Sequence, residues 1–140
     1  MKKLLTIILA IVAVSVSPVM AQRVTIDITQ GNVDPMPIGV PDFLGAEPQT
    51  QGLGRDITGV IMNDLDRSGL FSVIDQRAYI EKPESVNVRP RFADWRIINA
   101  QVLIVGEVEE LPDGRIQVAT RVWDVYSDEQ LGAVAFKTPA

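Results

Sequence analysis

The stretch GLGRDITGVIMNDLDRSGLFSVID, residues 52–75, decides the fold because it joins one helix directly to one strand. Gly69 is positioned to end the helix in a left-handed cap, and the apolar run at residues 70–75 predicts a short strand immediately after it. Gly59, inside the helix, costs about 1 kcal/mol relative to Ala, which predicts close approach of a neighbouring backbone. The predicted buried stripe has three- and four-residue spacing and consists of Leu53, Ile57, Val60, Ile61 and Leu65.

Two segments precede this helix. Residues 36–43, MPIGVPDF, predict a short extended segment. Because Pro37 and Pro41 have no N–H to donate, we expect it at a sheet edge or hydrogen bonded on one side only. Residues 44–52 are predicted to be a loop.

The carboxyl-terminal half predicts a second helix and three strands. Residues 76–80 are read as a turn and residues 81–90 as a polar surface loop that tolerates change. Phe92, Trp95 and Ile98 recur at three-residue intervals, which predicts a short helix that ends near Asn99. The strands are expected at residues 101–110, 115–126 and 131–137, with Trp123 in the core and Tyr126 at its rim.

Residues 24–29 predict one further strand. Val24, Ile26 and Ile28 alternate with Thr25, Asp27 and Thr29, the pattern of a half-buried strand. The order is then strand, strand, helix, strand, helix and three strands. It predicts an α/β (α+β) fold, a mixed sheet of about five to six strands with two helices packed on it, ending in a β-meander.

The first 21 residues have the features of an export signal. Lys2 and Lys3 precede an apolar run at residues 4–16, and small residues precede a predicted cut between Ala21 and Gln22. After cleavage, we expect the protein to have no stable insertion in the membrane. The alternative is that the segment stays uncleaved and anchors the protein in the membrane. Loss of the two lysines changes the net charge from −5 to −7. This acidic balance argues against nucleic acid as a partner, and Arg89, Arg91 and Arg96 are interpreted as a solvated connection.

The composition excludes several kinds of site. The chain has no Cys and no His, so it offers no disulfide, no lipid-bearing cysteine, no zinc thiolate or imidazole ligand and no histidine general base. Carboxylates could still hold calcium, but no candidate group has the spacing of a calcium loop, and we interpret them as solvated faces. No catalytic residue, metal site or cofactor is therefore predicted. The groups are Asp64 with Asp66, Glu107 with Glu109 and Glu110, and Asp124 with Asp128.

Several stretches together resemble the amino-terminal domain of the TolB family, over essentially the whole chain after the signal. They are PIGVPDF at 37–43, GLGRDI at 52–57, DLDRSGLF at 64–71, Trp95, residues 100–108 and the Pro-Asp-Gly turn at 112–114. The resemblance implies a periplasmic, non-enzymatic component of the Tol-Pal system. That system links inner-membrane TolA with the lipoprotein Pal, and it supports outer-membrane integrity and constriction during cell division.

The resemblance also implies a partner-binding segment at the new amino terminus. In this family the first residues after the signal bind TolA, and an alternating extended segment can add to the edge of a partner's sheet. The alternative is an ordinary first strand of this domain, and both hold if the segment exchanges between the two states. The implied TolA-binding residues are Gln22, Arg23, Val24, Thr25, Ile26, Asp27, Ile28, Thr29, Gln30, Gly31, Asn32 and Val33.

The expected organisation is therefore a signal at 1–21, the partner-binding segment or first strand at 22–33, and the α/β domain at 34–140. Members of the TolB family continue with a further helix and a β-propeller that binds Pal. The domain is thus expected to be incomplete at its carboxyl-terminal end and poorly stable alone, and Pal binding is not expected of this chain. Two alternatives stay open: a regulatory periplasmic domain that contacts a cell-wall enzyme, and a small carboxylate-based hydrolase.

Overall fold

The computed structural model describes residues 34–139, and in this part of the chain six strands form one mixed sheet with two α-helices. This confirms the predicted fold class, including the final meander; the strand expected at residues 24–28 lies outside the described residues. No helix in the described range has the length and apolar character needed to cross a membrane. The elements are β1 Met36–Gly39, β2 Leu44–Gly45, α1 Pro48–Arg67, β3 Phe71–Val73, α2 Phe92–Ile97, β4 Val102–Glu110, β5 Ile116–Asp124 and β6 Glu129–Lys137.

The sheet has the spatial order β3-β1-β4-β5-β6, and β2 pairs with β4 further along that strand. β1 runs parallel to both β3 and β4, whereas β4, β5 and β6 are antiparallel neighbours. The amino-terminal ends of β1, β3 and β4 therefore lie at one end of the sheet, which we call the entry end because the described chain begins there at Asp34.

The position of β1 is a correction, because this strand lies inside the sheet and not at its edge. The backbone N–H of Met36 donates to the Leu70 carbonyl on the β3 side at 2.9 Å, and the Pro37 carbonyl accepts from the N–H of Gln101 at 2.9 Å on the β4 side. A proline removes only a donor, and its carbonyl still accepts. Pro37 therefore does not prevent pairing on both sides.

Helix α1 begins earlier than predicted, because residues 44–52 are a short strand followed by helix, not a loop. The N–H of Glu47 donates to Oγ1 of Thr50 at 3.1 Å, which caps the first turn. Pro48 occupies the first helical position, where its missing N–H costs nothing. Gly52 and Gly54 weaken the helical signal in this turn without ending the helix.

The buried face of α1 contains most of the predicted stripe and, in addition, small residues that were not predicted. Leu53, Ile57, Ile61 and Leu65 are half-buried, whereas Val60 is 61% exposed. Thr50, Gly54 and Thr58, each four residues apart, are the fully buried positions. A Cβ on Gly59 would meet no atom within 4 Å, so the predicted close approach there is wrong. The stripe of small residues instead allows α1 to lie very close to the segment before it.

Phe43 explains this close contact. A Cβ on Gly54 would lie 2.2 Å from the Phe43 carbonyl oxygen, and a Cβ on Gly106 of β4 would overlap the Phe43 ring. The N–H of Phe43 donates to Oγ1 of Thr58 at 2.9 Å. Phe43 is therefore held between α1 and the sheet in space that two glycines provide.

The caps, the second helix and its core are as predicted. Gly69 has φ of +70°, and Asn99, just after α2, has φ of 60°. Both residues therefore adopt the left-handed conformation that ends a helix. Trp123 is buried and Tyr126 is 57% exposed, as expected for core and rim. The main core lies between α2 and the sheet and contains Phe92, Trp95, Ala100, Leu103, Val105, Trp123 and Val125.

The loop at residues 81–90 is more than a tolerant polar surface. Glu81, Val86 and Pro90 are buried within it. Their burial makes this loop a cover over the edge of the main core, so its sequence is more restricted than its polar composition predicts.

Candidate interaction surfaces

The sequence-predicted site lies outside the described residues. This applies to the cleavage pair Ala21 and Gln22 and to the whole TolA-binding segment, residues 22–33. The described chain begins at Asp34, two residues before β1. The predicted segment is therefore covalently attached at the entry end of the sheet.

Exposed apolar side chains lie at this entry end. Met36 begins β1 and is 38% exposed, and Leu70 immediately precedes β3 and is 56% exposed. Tyr126, which follows the end of β5, is 57% exposed. Since the first residues of β1 and β3 and the last residue of β5 share this end, the three exposed side chains lie at the same end of the sheet.

Hydrogen bonds fix the turn that carries Tyr126. Oδ1 of Asp124 accepts from the N–H of Tyr126 at 2.9 Å and from that of Ser127 at 3.0 Å. These backbone hydrogen bonds, Ser127 first, lower the pKa of the Asp124 carboxyl. The turn is thus held by a carboxylate that stays ionised.

The three arginines of the predicted solvated connection also form ion pairs, and the side chains of Arg89 and Arg91 are 63% and 66% exposed. Arg96 pairs with the Asp128 carboxylate and donates through Nε to the Val125 carbonyl at 3.0 Å. Arg89 lies 3.6 Å from the same carboxylate, and Arg91 lies 3.1 Å from Asp94. These contacts connect α2 and its preceding loop to the β5–β6 turn. In the described part of the chain, each of these three arginines therefore has an acidic partner.

Several of the carboxylates considered above as calcium ligands contact other groups of the described chain. They belong to the set Asp64, Asp66, Glu107, Asp124 and Asp128. The Asp64 carboxylate lies 3.9 Å from Arg67 on α1, and Glu107 accepts from the N–H of Val86 at 3.2 Å. The carboxylates after β5 hold the turn described above. Across residues 34–139, no group of three or more acidic side chains is placed to hold a metal ion. Asp64, Glu107, Asp124 and Asp128 therefore contact other groups of the chain, whereas Asp66, Glu109 and Glu110 are exposed, as predicted for solvated faces.

A cleft of about 430 Å³ lies at the opposite end of the sheet, beyond the carboxyl ends of β1 and β3. Tyr79 in its wall accepts the N–H of Val40 at 2.9 Å and donates to the Ile74 carbonyl at 3.0 Å. Burial is the main cause that raises the pKa of Tyr79. Gln76 donates to the Val40 carbonyl and to Asp42, each at 3.0 Å. The hydrogen bonds of these polar groups hold the loop after β1 in place.

An ion pair beside this cleft is equally local. The side chain of Arg77 donates to the Asp75 carboxylate, and so does the Arg77 backbone N–H at 2.9 Å. These hydrogen bonds lower the pKa of Asp75 to about 2. Both side chains are exposed, so the pair adds little to stability.

The last strand, β6, exposes apolar side chains at the edge of the sheet opposite to β3. Leu131, Val134 and Phe136 are 59%, 50% and 68% exposed, and β6 pairs only with β5 among the described strands. An exposed apolar strand at a sheet edge is a recognised binding surface.

The comparisons with known proteins agree on one family. Residues 24–131 match the family model described as the TolB amino-terminal domain. The chain is 46% identical over 114 residues to a Tol-Pal system protein TolB from Paramagnetospirillum magneticum, a match that covers 81% of this chain and 25% of that relative. The chain therefore spans about a quarter of the length of this curated relative.

Solved structures with the same fold include the crystal structure of TolB from Acinetobacter baumannii. It superposes with a TM-score of 0.58 at 19% identity, covering 76% of this chain and 24% of that one. The LpoB C-terminal domain from Salmonella enterica gives a TM-score of 0.59 at 11% identity, covering 79% of this chain and 87% of that one. At such low identity these two likenesses establish the fold alone.

Proposed function

Because this chain belongs to the TolB amino-terminal domain family, we propose that it is an exported protein-interaction module of the Tol-Pal system that binds TolA through residues 22–33. The observation that carries the proposal is the 46% identity to a Tol-Pal system TolB, within a family match that begins at Val24. We further propose that the module is periplasmic, is released by cleavage between Ala21 and Gln22, and supports outer-membrane integrity and constriction in cell division.

The chemistry of the segment supports this mode of binding. Val24, Ile26 and Ile28 alternate with Thr25 and Asp27, so an extended segment presents one apolar and one polar face. Backbone hydrogen bonds to a partner's sheet edge would supply affinity, and the alternating side chains would supply register and specificity.

The described acidic side chains support a binding role over a catalytic one. Asp124, Asp128, Glu81 and Glu107 each accept hydrogen bonds from the chain's own backbone or side chains. A carboxylate-based hydrolase needs two carboxyls that face a substrate across a cleft.

The decisive experiment measures capture of purified TolA by three forms of the exported protein. The first begins at Gln22, the second begins at Asp34, and the third keeps the composition of residues 22–33 in scrambled order. We expect capture by the first form only. Circular dichroism of the first two forms checks that the domain stays folded when residues 22–33 are removed. Equal capture by the first two forms would overturn the assignment.

The cleavage site is tested separately by mass spectrometry of the amino terminus of the protein recovered from cells. We expect it to begin at Gln22. Forms whose terminus is moved by three residues in either direction should bind TolA more weakly, because the alternating strand would lose or gain residues at its free end. Unchanged binding by both shifted forms would show that the terminus is not part of the contact.

A further inference from the structure

The loop at residues 81–90, which covers the edge of the main core, is attached to the domain by side chains and not by pairing of its own backbone. Within the described chain, its one backbone-to-backbone hydrogen bond runs from the N–H of Val88 to the Ser85 carbonyl, at 3.3 Å. That distance lies beyond the usual range for such a bond. A segment with so few backbone hydrogen bonds opens at a lower free-energy cost than the helices and strands around it.

Two carboxylates accept the hydrogen bonds that hold this loop. At its base, Glu81 accepts from the backbone N–H of Arg91 at 2.9 Å and from the indole N–H of Trp95, which joins the two ends of the loop. At its tip, Glu107 of β4 accepts from the backbone N–H of Val86 at 3.2 Å. We call the first set the base contact and the second the tip contact. The loop is therefore held at two separate points.

The base contact is the stronger of the two. Glu81 is 8% exposed, and its two oxygens accept from the N–H of Arg91 at 3.0 and 2.9 Å, so water has little access to compete. Glu107 is half-buried, and besides Val86 it accepts from the Ser85 hydroxyl at 3.4 Å. A buried acceptor with close donors holds them more strongly than a partly solvated acceptor with distant ones. The tip contact is therefore the one that releases first.

Two further side-chain contacts reach the loop from its exposed side. Arg121 of β5 donates to Oδ1 of Asn87 at 2.8 Å, and Arg89 lies 3.6 Å from the Asp128 carboxylate. Exposed contacts of this kind contribute little to stability, because water and salt compete for the same groups. They therefore do not add a third anchor comparable to the two carboxylates.

We propose that residues 82–90 open as a unit from the sheet by release of the tip contact, while the base contact and the rest of the fold stay intact. Val86 is 5% exposed and Val105 of β4 is 2% exposed. Val105 lines a space of about 230 Å³ between the loop and the sheet. Opening brings both side chains into contact with water, so the open state presents an apolar surface that the closed state covers. This device goes beyond the proposed function and does not depend on TolA binding.

The experiment measures hydrogen exchange of single backbone amides by NMR, on the purified protein at several low urea concentrations. Amides that exchange through local opening have rates that do not change with urea, whereas amides that need global unfolding exchange faster as urea rises. We expect the Val86 amide to show a urea-independent rate. This rate should exceed by about tenfold or more the rates of the amides through which β4 pairs with β5.

Glu107→Ala tests the tip contact directly, because it removes the acceptor and leaves the backbone of β4 in place. We expect exchange of the Val86 amide to become about tenfold faster, with the Arg91 amide and the Trp95 indole unchanged. A general loss of stability would alter the urea-dependent amides, so the urea-independent rate still reports the loop. The matched control is Glu109→Ala, at the next position on the same face of β4, where the side chain is exposed.

Each outcome decides the proposal. A urea-independent Val86 rate that Glu107→Ala raises and Glu109→Ala does not would support it. A Val86 rate that rises with urea in parallel with the β4 amides would overturn it, because the loop would then open only with the whole domain. Equal effects of the two substitutions would exclude Glu107 as the anchor. Faster exchange of the Arg91 amide and the Trp95 indole in Glu107→Ala would show that the base does not stay closed, which also contradicts the proposal.

Discussion

The carboxylate of Glu81 accepts a hydrogen bond from the indole N–H of Trp95, and it also accepts the backbone N–H of Arg91 at 2.9 Å. Glu81 is 8% exposed and Trp95 is 1% exposed, so the contact is a buried one. A carboxylate is tolerated at such a position when donors satisfy its oxygens. The Glu81 side chain therefore fastens the loop that covers the core to α2 and to the residue before it.

Glu81→Gln should lower the free energy of unfolding by about 1–3 kcal/mol. The substitution keeps one acceptor oxygen but turns an NH₂ group toward the donors of Trp95 and Arg91. Urea unfolding followed by tryptophan fluorescence measures the change. Glu84→Gln, in the same loop and exposed, is the matched control and should stay within about 0.5 kcal/mol of wild type. Equal midpoints for the two variants would show that the Glu81 contact does not stabilise the loop.

Tyr79→Phe should also destabilise the fold, by about 1–3 kcal/mol. The change removes the hydroxyl that accepts from Val40 and donates to Ile74, and it leaves a backbone N–H without its partner. Tyr126→Phe removes the same hydroxyl from a side chain that is 57% exposed, and its stability should match wild type. Thermal melts of the three proteins test this. A Tyr126 effect as large as that of Tyr79 would contradict it.

Tyr79 should make stability fall at alkaline pH. Its pKa in the folded protein is raised, mainly by burial, above the value of about 10 in the unfolded chain. Between these two pKa values the unfolded chain loses its proton more readily than the folded one. The contribution of the protonated Tyr79 hydroxyl to stability is therefore complete below a pH of about 10. It is lost as the pH rises through the pKa that Tyr79 has in the folded protein. Tyr79→Phe should weaken this alkaline slope; urea midpoints of the wild type and the variant across that pH range measure the change.

Local signals predicted much of this fold. The left-handed glycine at Gly69, the spacing of Phe92 and Trp95, and the turn at residues 111–114 all depend on neighbours a few residues apart. The start of α1 could not be found in the same way, because Gly52 and Gly54 resemble a loop until their tertiary contacts are known. The interior position of β1 was not predicted, because the missing donors of Pro37 and Pro41 were expected to limit the segment to an edge or to hydrogen bonds on one side, whereas the Pro37 carbonyl still accepts from Gln101.

For the binding surfaces too, the sequence predicted the features that depend on near neighbours in the chain and missed those that depend on tertiary contacts. The alternation at residues 24–29 is visible in the sequence and predicts an extended segment, which stays a prediction. The buried Glu81 was missed because its donors lie 10 and 14 residues away and Glu in a Pro-containing stretch normally indicates solvent. The edge character of β6 depends on strand order, which is set by long-range pairing.

Two glycines of α1 provide the sharpest test of how this helix packs. Gly54→Ala places a Cβ 2.2 Å from the Phe43 carbonyl oxygen, so helix and strand must separate, at a cost of about 1–3 kcal/mol. Gly59→Ala meets nothing within 4 Å and should stabilise by about 0.5–1 kcal/mol, because alanine favours the helix. Both variants gain the same helix propensity, so the difference between their urea midpoints isolates the clash. Equal stabilisation by both would mean that α1 does not lie against Phe43, and the position of the helix on the sheet would be wrong.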